Sequence, residues 1–570
     1  MKIIQAALDR RRLVLAAVLM LSLIGLGAWF GMDRQEDPFF PYRYGHLLVS
    51  WPGAEPAEVE RLVLNILEEE VAQVDEVNEI RGTARLGFAH LIVGMHQHVY
   101  DTDSAWDRIR VAVERAERRF PDGTSRVEIR DRAMETHGIV LAVTGSQDRL
   151  ELLDAARRLR RDLFRLPDVG RIDIIGDPGE QLTISLDDAA AAAAGIDRRS
   201  LAAQLAERNR VLPGGTLAAG DRNLIIRPLT DFDDLAELSQ TPIMNTSGAM
   251  VPLAELADVR IGPAEPERQH VRFDGRPAVA LGIVIPENRL NAVRFGRSVR
   301  ELVETLEPGY APLAIEEMFY QPHWVEKRLA ELGRSLLIGV AVVALVLIAT
   351  MGVRLGLAVA ALLPIVTLSA LAIYALGGGV LHQIAIAGML IALGMLVDNA
   401  IVMTENMQWH IDRGKHRRQA AIATVRELAG PLAAATGTTL AAFMPLLISR
   451  GDTADFTRAI PIMVMLVLAV SYVYAIFVTP TTTALILKPG AGRGSERIAN
   501  AGRVLGRTAV RRPWTVLVAA LALIAVALAA SGLIQRDFFP STDRNQLIVD
   551  LDFAEGTRME TSHLEAGVLA

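Results

Sequence analysis

The chain has no cysteine in 570 residues, so disulfides, cysteine-held zinc and thiol chemistry are all excluded. No G-x-x-x-x-G-K-[ST] run occurs, which disfavours ATP as a direct energy source. No nucleophile elbow and no metal motif are present, so an enzyme reading has little support. The net charge of −7 is mild and argues against a nucleic-acid partner. The most telling absence is local: seven long apolar runs contain no lysine and no arginine. Runs of that length and composition read as membrane-spanning helices.

Hydrophobic residues make up 51% of the sequence and charged residues 22%, so the chain mixes membrane and water-exposed parts. The seven expected spans are 13–32, 335–353, 355–381, 382–407, 428–449, 459–487 and 513–535. Arg10, Arg11 and Arg12 precede the first, which reads as a retained signal anchor because its core is long and no A-x-A cleavage site follows. Those arginines place the N-terminus in the cytoplasm. Arg413, Lys415, Arg417, Arg418 and Arg426 then follow span four, and Lys488, Arg493, Arg497, Arg503, Arg507, Arg511 and Arg512 follow span six, on the same side. About 300 residues, 33–334, form one insertion on the other side.

That insertion alternates strands and amphipathic helices. A strand at 46–51 precedes a helix with an apolar stripe of Val59, Leu62, Val63, Ile66 and Leu67. Strands around 77–82 and 89–95 follow, then a helix N-capped by Ser104, then a strand at 127–129. This is the β-α-β-β-α-β order of a split βαβ, ferredoxin-like unit. A second unit starts at 139, has strands at 171–175 and 181–185, and resumes at 278, interrupted by an inserted subdomain at about 187–265. His90, His96 and His98 read as surface histidines, since no cysteine or acid cluster joins them.

Asp398 lies at the centre of an apolar stretch, GMLIALGMLVDNAIVMTEN, 388–406. A charged Asp at bilayer depth costs ~2.5–3.5 kcal/mol on insertion scales and is rarely present without a task, usually carriage of a proton or ion. Asn399 beside it points ~100° away around the helix. Glu405, seven residues on, shares the face of Asp398 and lines a proton exit or is an interfacial acid. Thr436, Thr438 and Thr439 on the fifth span are candidates for bonds between helices.

An internal repeat follows the seventh span. Phe39-Phe40-Pro41 after the first span has a counterpart in Phe538-Phe539-Pro540 after the last, each trailed by an apolar strand, a small-residue turn and a helix start. We expect a tandem duplication, with this chain as the N-terminal part of a protein nearly twice as long.

This arrangement resembles the resistance-nodulation-division (RND) transporters, in the multidrug AcrB-like branch. GMLIALGMLVDNAIVMTEN is similar to the family's fourth-span motif. Trp51-Pro52-Gly53-Ala54 with Val59-Glu60, Phe443-Met444-Pro445, Thr479-Pro480, and Val251-Pro252-Leu253 with Ala257-Asp258-Val259 resemble further signatures in the same order. The resemblance implies an α+β membrane protein: a transmembrane helix bundle, with seven spans here, under a large periplasmic region of ferredoxin-like βαβ subdomains. Its parts would be a first helix (1–32), a first pore subdomain (33–132), a second (133–334) with a docking-type insertion at about 187–265, spans two to six (335–490), a cytoplasmic basic linker (491–512), the seventh span (513–535) and the start of a second periplasmic repeat (536–570). It also implies a trimeric, multi-pass inner-membrane pump of bacteria, driven by proton motive force without a cofactor. Such a pump exports hydrophobic or amphipathic compounds with a periplasmic adaptor and an outer-membrane channel. Asp398 and Asn399 would form the proton relay, with the counter-charge on a span of the other half. Many members have a second acid where Asn399 stands, which leaves the number of protons per cycle open. Metal exporters carry an extra acid where Ala392-Leu393-Gly394 lies, so metal export is disfavoured. The alternative is a relative that transports or senses lipid or assists protein translocation.

Overall fold

The computed structural model describes residues 9–39, 41–132, 136–208, 216–219, 222–225, 235–267, 269–285, 291–487, 496–532, 547–554 and 556–569. Pro213-Gly214-Gly215, whose composition reads as a turn, the second Phe-Phe-Pro and the basic residues Lys488 and Arg493 lie outside the described residues.

Helix α1 (Arg11–Gly31) leads into the first soluble unit. Strand β1 (Tyr44–Ser50) is followed by α2, whose segments are Pro56–Val59, a π-helical stretch Glu60–Leu64, and Asn65–Val71. Glu55 opens α2 with a reciprocal capping box to Glu58, and Pro56 occupies the first turn, where its missing N–H costs nothing. Strands β2 (Val77–Arg85) and β3 (Phe88–Met95), helix α3 (Thr102–Glu117) and strand β4 (Glu128–Arg130) complete the unit. Its antiparallel sheet runs β2-β3-β1-β4. Leu47, Val49, Leu91 and Val93 on one face of the sheet bury against Val63 and Leu67 of α2 and Trp106 and Ile109 of α3. Trp106 lies over Gly45, where any Cβ would collide with the ring, and its Nε1 donates to the Tyr42 carbonyl at 3.2 Å. The cap of α3 is Asp101 and not Ser104: its carboxylate accepts from the Ser104 amide at 3.2 Å, so the helix starts earlier than expected. A carboxylate suits the positive end of a helix.

The second unit repeats this order. It contains β5 (His137–Thr144), α4 (Arg149–Leu163), β6 (Ile172–Ile175), the pair β7 (Glu180–Leu186) and β8 (Ala257–Pro263), β9 (Val271–Phe273), β10 (Arg276–Val284), α5 (Ala292–Leu306) and β11 (Ala314–Tyr320). Within its sheet β5 lies between β11 and β10, and β6 and β9 both pair with β10. Strand β7 does not join that sheet. It pairs antiparallel with β8 from Leu186↔Ala257 to Glu180↔Pro263, so the inserted segment has a two-stranded neck starting at 180 instead of 187. The two ends of an insertion must meet, and an antiparallel ladder satisfies both backbones at once. The insertion has its own small core of Ile196, Leu201, Leu238, Ile243, Leu253 and Leu256.

Below the soluble units lie α6 (Gln321–Met351), α7 (Val353–Leu376), α8 (Gln383–Asp412), α9 (Arg417–Ile448) and α10 (Asp452–Phe477), then the short α11 (Thr479–Ile486). Next come α12 (Glu496–Arg511), helical where a basic linker was expected, and α13 (Pro513–Ser531). Among the described residues, seven helices are long and apolar enough to cross a membrane: α1, α6 to α10, and α13. That matches the seven expected spans. Gly25 lets α1 press onto the Leu368 backbone of α7, and Gly388 brings α8 against Ile460 and Met463 of α10. Residues 547–554 form no strand, because no neighbouring strand among the described residues supplies the ladder. Helix α14 (Met559–Leu569) follows.

A single buried cation ties the first soluble unit to the helices. Arg43, 1% exposed, donates to Asp452 Oδ1 at 2.6 Å, to Asp455 Oδ2 at 2.7 Å and to the Val99 carbonyl at 3.0 Å. Arg458 pairs with the other Asp455 oxygen at 2.7 Å, and both guanidiniums lie over the Tyr100 ring. Burial opposes the charge of Arg43. Its hydrogen bonds to Asp455 and Asp452 outweigh that and hold the guanidinium's pKa above its ordinary value. Removing one partner of a buried pair typically costs ~3–5 kcal/mol because a charge is left stranded. Arg43→Met is therefore expected to lower the melting temperature of the purified chain in detergent. Adding Asp455→Asn should recover part of the loss in a double-mutant cycle. Additive losses would show that the pair contributes nothing as a pair.

Candidate functional site

Helix α8 stands at the centre of the bundle, and its polar residues sort onto two faces. Its N-cap His382 accepts from the Ala385 amide at 3.3 Å. Asp398 lies about 22 Å along the helix from its start. Ile391, Gly394, Asp398, Val402, Glu405 and Trp409 are exposed at spacings of three and four, so they form one stripe down the helix. Asp398 and Glu405 thus share a face, with a full heptad between them. Neither makes a hydrogen bond or ion pair with any described residue. Gly394, one turn above Asp398, has nothing within 4 Å of where a Cβ would stand. The stripe is the side of α8 that the other described helices leave uncovered.

Asn399 points the other way, into the bundle, and is 6% exposed. Its Nδ2 lies 3.4 Å from Thr436 Oγ1 of α9 and 3.5 Å from Ser471 Oγ of α10. Thr436 Oγ1 also lies 3.5 Å from Asn399 Oδ1, and Ser471 Oγ donates to the Leu396 carbonyl at 2.9 Å. One amide therefore bridges three helices with both its donor and its acceptor. Thr438 and Thr439 do not take part: each hydroxyl bonds back to the Ala435 carbonyl of its own helix. A second buried polar link joins α7 to α10, Ser369 Oγ to Tyr474 Oη at 2.6 Å.

The structure places Asp398 and Glu405 on one uncovered face, two turns apart, and turns Asn399 away from both. Sequence reasoning missed Ser471 and the cluster of Arg43, Asp452, Asp455 and Arg458. A lone serine in an apolar run has no pattern to flag it. The Asp455 to Arg458 spacing of three residues was a signal for an ion pair, but not for a partner at Arg43. Trp106 is core, while Phe88 is exposed at a hairpin end. His90 stacks on His46 with ring nitrogens 2.8 Å apart, and His96 stands 5.3 Å from His98 between ring centroids.

The two faces of α8 make separable demands. Asn399→Ala leaves Thr436 without its partner and should cost about 1 kcal/mol, the scale of a hydrogen bond between membrane helices. Asp398→Asn on the open face should change stability by no more than about 0.5 kcal/mol. Thermal melts of the two variants in one detergent read the contrast, and equal losses would contradict the assignment of faces.

A model of the AcrB/AcrD/AcrF family matches residues 3–566 of the chain. Among curated proteins, "Multidrug resistance protein MdtC" of Pantoea ananatis (strain AJ13355) is 25% identical over 516 residues, which is 87% of this chain and 50% of that protein. The protein of the same name from Escherichia coli (strain SE11) is 25% identical over 472 residues, 80% of this chain and 45% of its own length. The chain spans about half the length of the curated relatives it matches.

Proposed function

The chain belongs to the AcrB/AcrD/AcrF family of RND efflux transporters, carriers and not enzymes, and from that premise we propose that it handles the protons of a secondary exporter. The relatives' names speak of multidrug resistance, and the cargo here is a hydrophobic or amphipathic compound taken from the periplasm or the outer leaflet. The two soluble units are ferredoxin-like pore subdomains in the periplasm, with the N-terminus in the cytoplasm. The segment carried on β7 and β8 is a docking subdomain. A homotrimer working with a periplasmic adaptor and an outer-membrane channel completes the assembly.

Asp398 carries this reading. It is an acid at mid-depth of a membrane helix, on the one face that no described helix covers. A carboxylate at that depth needs a cation or donors, and no lysine or arginine lies in the seven expected spans. That cation is supplied from outside these seven spans. A carboxyl group alternates between neutral when desolvated and charged beside a cation, so closing and opening that contact loads and releases one proton. Each charge moved through a potential of 100 mV contributes ~2.3 kcal/mol. Glu405, further along the same face, receives the proton on its way to the cytoplasm. Asn399 does not titrate: it anchors α8 to α9 and α10 so that a change at Asp398 moves three helices together. The Arg43 joint passes that movement to the first soluble unit, because α10 begins with Asp452 and Asp455.

The test is dye or drug accumulation in efflux-deficient cells expressing the complete gene. Wild type should accumulate less than cells without the gene. Asp398→Asn, at equal expression, should accumulate as much as those cells. Equal accumulation with wild type and variant would remove export of the tested panel and favour lipid or another specialised cargo.

A further inference from the structure

At the end of the bundle away from the soluble units, a cavity of about 570 Å³ is walled by Arg11, Lys415, His416, Arg417 and Arg418. Its volume lies within the ~300–1,000 Å³ usual for small-ligand sites. Four of these side chains are permanent cations near neutral pH. Among the described residues only one of the four is in an ion pair, Arg418 with Asp9 at 2.5 Å. Arg417 donates to the Ala484 carbonyl at the end of α11, 3.4 Å away. The cavity therefore holds a clear excess of positive charge.

The backbone adds to it. Helix α9, 32 residues long, starts at this cavity with His416 as its cap, with no side-chain hydrogen bond to the cap and no acid in the first turn. Its first amides have no partner within the helix and point a positive dipole end at the site. Beyond the basic residues and Thr481, whose hydroxyl bonds back to the Phe477 carbonyl at 2.7 Å, no lining side chain is polar. Ile411 and Leu485 form part of the wall, and Leu485, Ile486 and Leu13 are exposed on the helices around it. A soluble anion has no use for that border, whereas a lipid would lay its acyl chains along it.

We infer that this cavity binds the phosphodiester headgroup of an anionic membrane lipid, wedged between α1, the α8–α9 turn and α11. Basic pockets between membrane helices recognise such headgroups by charge. The occupant bridges the ends of the helices that carry Asp398 and Thr436, and so it fixes their spacing on the side opposite the Arg43 joint. The proposal rests on the membrane placement of the helices and not on what is transported, so its outcome is separate from the accumulation assay.

The purified full chain in neutral detergent is titrated with phosphatidylglycerol, phosphatidylcholine or inorganic phosphate, with melting temperature and native mass spectrometry as readouts. Phosphatidylglycerol alone should stabilise the protein and remain bound. Arg11→Gln/Lys415→Gln/Arg418→Gln should weaken that binding on the order of 100-fold, and Lys415→Gln alone by about fivefold. Should the triple variant not fold, the single variant, whose ammonium is in no ion pair among the described residues, still decides the matter. Arg354→Gln/Arg426→Gln/Arg507→Gln removes equal charge outside the cavity and should leave binding unchanged. Stabilisation by phosphate to the same extent would assign the site to a free anion. That outcome, equal binding of phosphatidylcholine, or equal loss in the control variant would each overturn the proposal.

Discussion

Hydrocarbon supplies no partner to a charge or to a backbone amide, and the whole molecule is arranged around that constraint. The spans are helices because helices satisfy their own amides. Lysines and arginines stand at helix ends, where water and headgroups meet them. Polar side chains at depth find partners across the bundle, bond back to their own helix as Thr438 and Thr439 do, or sit on a face that no described helix covers. Asn399 is the first case, held between Thr436 and Ser471. Asp398, one residue earlier, is the last. A single peptide bond thus separates a residue that builds the bundle from one that the bundle leaves available.

The junction between the membrane and water layers obeys the opposite economy. There a charge is buried, and it is affordable only because every donor of consequence is used. Arg43 meets two carboxylates and a carbonyl, and the acids stand at the start of α10. The segment before Arg43 is stitched down as well. Asn291 donates to the Met32 carbonyl, Gln321 to Glu36 and Gln383 to Asp37. The first ties the end of α1 to the start of α5, and the other two join the segment before Arg43 to the upper ends of α6 and α8. Such joints are directional and discrete, so they transmit a shift of a helix better than apolar contact, which slides.

The soluble units show how one topology tolerates different surroundings. Both carry two helices against an antiparallel sheet in which the first strand lies between the last two strands. The second interrupts its order between β6 and β9 to carry another segment, and the sheet closes around the gap without loss of core: Leu141, Val143, Leu281 and Ile283 are all at most 2% exposed. Pairing β7 with β8 isolates the inserted segment from the sheet, so each core packs independently.

Much of this was legible from the residues alone. Seven spans, the split βαβ order and the Asp398–Asn399 divergence follow from composition and periodicity, which are local and obey the lipid and the pleat directly. Helix starts and the neck of the insertion were placed a few residues off, because a cap such as Asp101 or a ladder such as β7 with β8 is decided by which neighbour arrives. The sequence by itself determined where the chain enters the membrane and which residue is costly there. Only the tertiary structure decided that Asn399 is spent on bridging α9 and α10 while Asp398 faces outward. It also decided that Arg43 closes on acids some four hundred residues away, since contacts of that separation are set by packing in three dimensions and leave no period in the sequence.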